Sequence, residues 1–239
     1  MKINVKNLRK AFGETVAVDI EEYKVGAGEL IGLVGNNGAG KTTTLRTIAT
    51  LIKPTSGVVY YDDKDINSDV YEYRKKIGFL TSELKLDGYF TPDQTFEYMS
   101  KLYGMNEEEI RYQKNLLFAS FGIDEFKNKL IKDLSTGMKQ KVSLAVSLCH
   151  KPDIIIFDEP TNGLDVVAAK VVEDYLRELK KQNKIVLVST HIFSLVEKLC
   201  DEVGIIINGN LVLNAPLGEI QKEGTLEDTF FRLYEEVNK

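Results

Sequence analysis

Apolar positions along the chain follow two rhythms, and the points where one gives way to the other mark the elements. Ile3, Val5 and Leu8 predict a strand over residues 2–8, and a second short strand is expected near residues 16–20, before the turn at Gly26-Ala27-Gly28. Leu30 to Val34 is a continuous apolar run of strand length, the pattern of a strand buried on both faces. Residues 42–51 read as a helix that stops at 54–57, and 58–61 as a further strand. Between residues 92 and 150 the pattern turns to several helical stretches with no convincing strand. Residues 154–157 form another buried strand, and 165–181 an amphipathic helix with Ala169, Val172, Leu176 and Leu179 on one stripe. A strand at 184–189, a helix at 191–200 and strands near 203–207 and 211–213 follow. In the tail from Gly218, Leu226, Phe230, Phe231 and Leu233 fall at helical spacing. Strand and helix thus alternate on both sides of a helical insert, which predicts an α/β core with a mostly parallel sheet, N-terminal antiparallel strands and an inserted helical subdomain. One domain of 239 residues is expected, its core formed by about 1–85 and 151–239 and its helical subdomain by about 86–150.

Charge and composition narrow the class. Lys and Arg total 31 against 36 Asp and Glu, a net charge of −5, which argues against a chain whose main work is coating nucleic acid. No apolar run approaches the roughly 18 residues of a membrane span, and residues 1–10 alternate polar and apolar side chains without a signal-peptide core. Cys149 and Cys200 make neither a disulfide framework nor a metal knuckle. A soluble cytoplasmic protein is expected, with any membrane work done through a partner.

The segment Gly35-Asn36-Asn37-Gly38-Ala39-Gly40-Lys41-Thr42, followed by Thr43, fits the phosphate-binding P-loop pattern at every required position, with a buried strand before it and a helix after. The glycines let backbone N–H groups converge on phosphate oxygens, and the helix N-terminus adds partial positive charge. Lys41 is expected to reach the β- and γ-phosphates of ATP and the Thr42 hydroxyl to ligate Mg²⁺. The fold is therefore read as a P-loop NTPase core. Further along, the apolar run 154–157 ends in Asp158-Glu159. Ligands of open α/β sheets sit outside the carboxyl ends of the strands, so this pair is expected to face the P-loop. Asp158 would hold Mg²⁺ and Glu159 would polarise the attacking water.

Together with four further segments, these residues resemble the ATP-binding cassette (ABC) transporter ATPases. Leu134-Ser135-Thr136-Gly137-Met138 is similar to that family's signature, Thr161 to Asp165 to its D-loop, Ser189-Thr190-His191 to its switch histidine, and Phe12 to its adenine-stacking aromatic. The resemblance runs over nearly the whole chain. It implies an ATPase subunit that binds ATP and Mg²⁺, pairs head-to-tail with a second ATPase subunit, read as a homodimer, and drives an integral membrane permease from the cytoplasmic face. Ser135, Thr136, Gly137 and Met138, at the start of a helix read from Met138, would grip the γ-phosphate of the opposite subunit's ATP. His191 would orient the attacking water, its other reading being a helix cap, and Asp165 would cross the dimer interface or cap the following helix. Phe12 is open to a second reading as a core aromatic.

Thr136 and Met138 depart from the usual LSGGQ signature while Ser135 and Gly137 are kept. At the position where the family's glutamine loop carries Gln, after Ile77 to Leu80, stands Ser82; it is read as taking over with weaker coupling to the metal. The acidic run 106–109 reads as the start of a helix. Tyr89, Phe90, Phe96, Tyr98 and Tyr103 either pack the helical subdomain or offer a contact surface to the membrane partner. The leading function is an exporter ATPase of the sodium-extrusion or drug- and antibiotic-resistance type. The alternative is a soluble cassette acting on ribosomes or DNA, without a permease.

Overall fold

The computed structural model describes residues 1–81 and 86–239. Strands β1 (Lys2–Phe12) and β2 (Thr15–Gly26) form an antiparallel hairpin, followed by β3 (Leu30–Val34) and α1 (Lys41–Ile48). Next come β4 (Ser56–Tyr61), the two-residue β5 (Lys64–Asp65), α2 (Val70–Arg74) and β6 (Ile77–Leu80). Helices α3 (Pro92–Leu102), α4 (Glu107–Phe121) and α5 (Thr136–Ser147) make up the insert. The chain then returns to β7 (Ile154–Asp158), α6 (Val166–Lys181), β8 (Ile185–Thr190), α7 (Phe193–Leu199), β9 (Glu202–Ile207), β10 (Asn210–Pro216), α8 (Leu217–Ile220) and α9 (Leu226–Val237).

Two sheets result. The first is antiparallel, in the order β2-β1-β4-β5; the second runs β10-β9-β3-β8-β7-β6, parallel except for the edge strand β10. Strand residues alternate between the two faces of the parallel sheet. Ile155, Phe157, Val186 and Val188 pack with the helices, including Val172 and Leu176 of α6. Ile154, Ile156, Ile185 and Leu187 pack toward α1 and the antiparallel sheet, beside Leu45, Ile48, Ile3 and Val5. With both faces covered, these strands read as unbroken apolar runs. This is the P-loop NTPase architecture, with antiparallel N-terminal strands and a helical insert.

The strands are longer than the apolar pattern indicated: β1 reaches Phe12, and β2 runs from Thr15 through Gly26, where a turn was expected to begin. Backbone pairing between them continues through exposed polar positions that carry no periodicity. Strand β6 lies at the edge of the parallel sheet, where the sequence pattern marks only the lead-in to a loop. Helix α5 begins at Thr136 rather than Met138, and α7 spans only Phe193–Leu199. On α6 the buried stripe includes Ala168, with Ala169 half-buried. In the tail Leu226 and Phe230 are buried, whereas Phe231 is exposed. Ser82 lies outside the described residues.

The helices of the insert are set by their caps. Thr91 and Gln94 form a capping box on α3, and Asn106 with Glu109 does so on α4, whose first turn carries Glu107, Glu108 and Glu109 where the helix dipole favours negative charge. The aromatic cluster divides. Phe96 is fully buried, edge-on to Phe118 at 5.4 Å between ring centroids, while Tyr89, Phe90 and Tyr98 are exposed.

Tyr103 stacks on His150 at 3.7 Å between ring centroids, and His150 Nε2 hydrogen-bonds the Ile77 carbonyl at 2.9 Å, pinning the end of the insert to β6. Burial pushes the His150 imidazole down from its usual 6.5 to about 4, opposed only in part by the Ile77 carbonyl, so the folded ring is neutral and donates from Nε2. Between these two values the unfolded chain binds a proton that the folded chain refuses. Stability is therefore intact above pH 6.5 and falls as pH drops toward 4, by up to about 3 kcal/mol from this group. Urea unfolding at pH 7 and pH 4.5 is expected to show a smaller acid loss for His150→Gln than for the wild type; equal losses would refute it.

Candidate active site

The loop after β3 is shaped by what its neighbours leave room for. A Cβ at Gly35 would lie 2.4 Å from the Ile206 carbonyl oxygen, and one at Gly40 would lie 2.6 Å from the Ala17 carbonyl oxygen, with Gly40 also at φ 108°. Only glycine lets the loop pass between β9 and β2 at these points. The turn between β9 and β10 braces it from outside: the Gly209 N–H donates to the Ala39 carbonyl at 2.9 Å, and the Asp19 N–H donates to the Gly209 carbonyl at 2.8 Å. Gly40 caps α1, so the helix opens at Lys41 with the N–H groups of its first turn directed at the loop.

Lys41 is buried and its Nζ donates to the carbonyls of Gly35 and Asn36 at 2.7 and 3.2 Å, which arches the side chain back over the loop. Burial holds its ammonium below the usual lysine range, against the pull of Glu159 and then Asp158. The Thr42 hydroxyl donates to the Asp158 carboxylate at 2.9 Å. Asp158 is fully buried at the end of β7 and accepts a second hydroxyl hydrogen bond from Ser189 at 2.5 Å.

Glu159 follows with φ 52°, a left-handed conformation that costs a non-glycine residue free energy and collects at functional sites. Its N–H donates to the Ser189 carbonyl at 3.1 Å, and its carboxylate meets His191 Nδ1 at 3.0 Å. A cleft of about 360 Å³ is lined by Asn37 to Thr43, with Ala17, Glu159, Asn162 and His191. Lys41, Thr42, Glu159 and His191, from three separate stretches of sequence, thus border one space, and Asp158 reaches it through Thr42.

The other expected residues stand around this space. Phe12 ends β1, 55% exposed, with Lys10 Nζ 4.9 Å from its ring centroid; a core aromatic is thereby ruled out. Ser135 caps α5 by accepting from the Met138 N–H at 3.3 Å and is exposed beside Thr136, with Gly137 and Met138 half-buried. Asp165 caps α6 through the Ala168 N–H at 2.8 Å, so its capping role is present in the single chain. Asn36 accepts from Lys41 Nζ through its carbonyl. Ser189, Asn162 and Ala17 border or support the site and were not singled out from sequence, although Ser189 and Asn162 lie within motifs that were.

Residues 19–162, more than half of the chain, match the family model described as ABC transporter. The chain belongs to the ABC transporter family. This ABC subunit binds and hydrolyses ATP. It is 38% identical over 202 residues to the ABC transporter ATP-binding protein NatA of Bacillus subtilis, covering 84% of this chain and 82% of that protein. It is 32% identical over 210 residues to the Nod factor export ATP-binding protein I of Ralstonia nicotianae, covering 88% of this chain and 65% of that protein. Its fold superimposes with a TM-score of 0.82 and 27% identity on a dimeric ATP-binding cassette in a post-hydrolysis state bound to ADP and phosphate, covering 90% of this chain and 98% of that one. Among the described residues no helix is long and apolar enough to cross a membrane.

Proposed function

We propose that this ABC subunit powers an exporter from the cytoplasmic face of the cell membrane, by ATP-driven head-to-tail pairing with a second ATPase subunit, in the simplest case a copy of itself. The observation that carries this reading is a division of labour within one chain. Lys41, Thr42, Glu159 and His191 share a cleft with the P-loop, whereas Ser135 and the exposed head of α5 do not line it. A helix start with a serine cap is an anion site, and here it has no phosphate of its own chain to meet. The γ-phosphate of a second chain's ATP is the ligand it fits, and the related cassette bound to ADP and phosphate is dimeric.

Within the cleft, the P-loop N–H groups and Lys41 would hold the β- and γ-phosphates. The donor set of Thr42 and Asp158, a hydroxyl and a buried carboxylate 2.9 Å apart, fits a hard divalent cation, and these two residues would hold Mg²⁺. When bound, Mg²⁺ neutralises charge on the phosphate oxygens. Glu159, held by its strained backbone and by His191, would take up a proton from the attacking water, while His191 orients the carboxylate. Asn36, Asn37 and Thr43 extend the phosphate cradle, Phe12 would stack on adenine, and Asp165 would contact the partner ATPase.

The permease is proposed to dock on a groove of about 320 Å³ lined by Leu51, Phe79, Leu86, Met99, Tyr103 and Val146, between the core and the helical insert. Its apolar floor suits a short amphipathic helix. The exporter reading is favoured over a cassette acting on ribosomes or DNA because one relative is named for export and another for transport. The test is the ATPase rate of the purified chain against its own concentration. Rate per molecule is expected to rise with concentration and level off once pairs form; a constant rate per molecule would contradict a shared site.

A further inference from the structure

Outside the cleft, one buried polar side chain connects two functional elements. Gln140 is 4% exposed, on α5 about one turn beyond its head. Its Nε2 donates to the Pro160 carbonyl at 3.2 Å, across 20 positions of sequence. Pro160 is buried directly after Glu159. It is the second residue of a turn closed by the Asn162 N–H donating to the Glu159 carbonyl at 3.1 Å. Proline suits the second position of such a turn because its φ is already fixed. A buried carbonyl left without a donor costs free energy, so this one needs a partner.

The turn that carries Glu159 is therefore held at three points. Its N–H is tied to the Ser189 carbonyl, its carbonyl to Asn162, and the next carbonyl to Gln140. The first two bonds are main chain to main chain. The third comes from a side chain of another element, and it fixes the peptide that follows Glu159, whose backbone stands in the left-handed region at φ 52°.

We infer that Gln140 is a positioning residue for Glu159, fixing through the Pro160 carbonyl the turn that aims the carboxylate into the cleft. The same bond joins the carboxylate to the helix whose head is Ser135, so α5 cannot shift along its axis without pulling on that turn. This inference rests on the proposed role of Glu159. Gln140 does not line the cleft and acts only through Pro160.

The experiment is steady-state ATP hydrolysis and equilibrium ATP binding by the purified full-length chain carrying Gln140→Met, which keeps length and apolar contact but removes the donor. The expected result is a kcat about tenfold lower, with KM and ATP affinity within about twofold of wild type. A residue that merely supports the fold would move affinity together with kcat. An unchanged kcat, or parallel losses in kcat and ATP affinity, would overturn the inference. If Gln140→Met is not recovered folded, Gln140→Leu, which also lacks the donor and adds no charge, is read by the same criteria. Glu159→Gln assayed alongside separates the two ideas: wild-type turnover there removes the role of Glu159 itself and this inference with it, whatever Gln140→Met does.

Discussion

Replacing Glu159 by Gln is expected to lower ATP turnover about a thousandfold while leaving ATP affinity within about twofold. The substitution keeps the shape of the side chain and a hydrogen-bond partner for His191 Nδ1, 3.0 Å away. What it removes is the capacity to accept a proton from water. General acid–base groups contribute on the order of 10² to 10⁴ to rate, and the structure gives this one a strained backbone and an oriented partner. Binding is expected to persist because the P-loop, Lys41 and Thr42 are untouched. Turnover measured under saturating ATP, with affinity from a separate binding titration, checks both halves. A proportionate fall in both would mean that Glu159 supports the fold of the cleft instead of the chemistry.

Lys41→Ala is expected to act at the other end of the same cleft, weakening ATP binding about a hundredfold or more through the loss of charge-assisted hydrogen bonds to phosphate. The nucleotide-free protein is a sterner test. Burial holds the Lys41 ammonium below the usual lysine range, a sign that its charge is poorly solvated there, and it is supported by two main-chain carbonyls. Thermal unfolding without ATP is expected to stay near wild type for Lys41→Ala, because the loss of those two bonds is offset by the relief of a buried charge. Added ATP raises the midpoint of the wild type by linkage, and that rise is expected to vanish in the variant. A retained rise would show that Lys41 is not a phosphate ligand.

Much of the cleft was legible in the sequence because its parts are local. The P-loop is a contiguous run whose glycines, lysine and threonine each answer a short-range demand, and Leu30 to Val34 and the strand ending in Asp158 announce themselves by burial on both faces. Strand β6 did not. Ile77 to Leu80 has four residues, one of them Gly78, and its strand character comes from pairing with β7. Gln140 and Gly209 were likewise illegible: the first matters through a carbonyl 20 positions away and the second through Ala39 on another strand's loop, and neither contact leaves a periodic trace. The aromatic cluster shows the opposite difficulty, since spacing could not divide Phe96, buried against Phe118, from Tyr89, which is 80% exposed. Burial there depends on the crossing of α3 and α4, which a one-dimensional pattern does not contain.

The central claim is that one chain supplies only half of each hydrolytic site. The most direct measurement is the mass in solution, by light scattering, of the Glu159→Gln chain with and without saturating ATP and Mg²⁺. Slow turnover in that variant preserves the ATP-bound state long enough to weigh it. The account predicts a monomer without nucleotide, a dimer with ATP, and a return to monomer when Ser135→Arg is added to block the head of α5. A particle that remains monomeric with ATP fully bound, or a dimer indifferent to the change at Ser135, would contradict it.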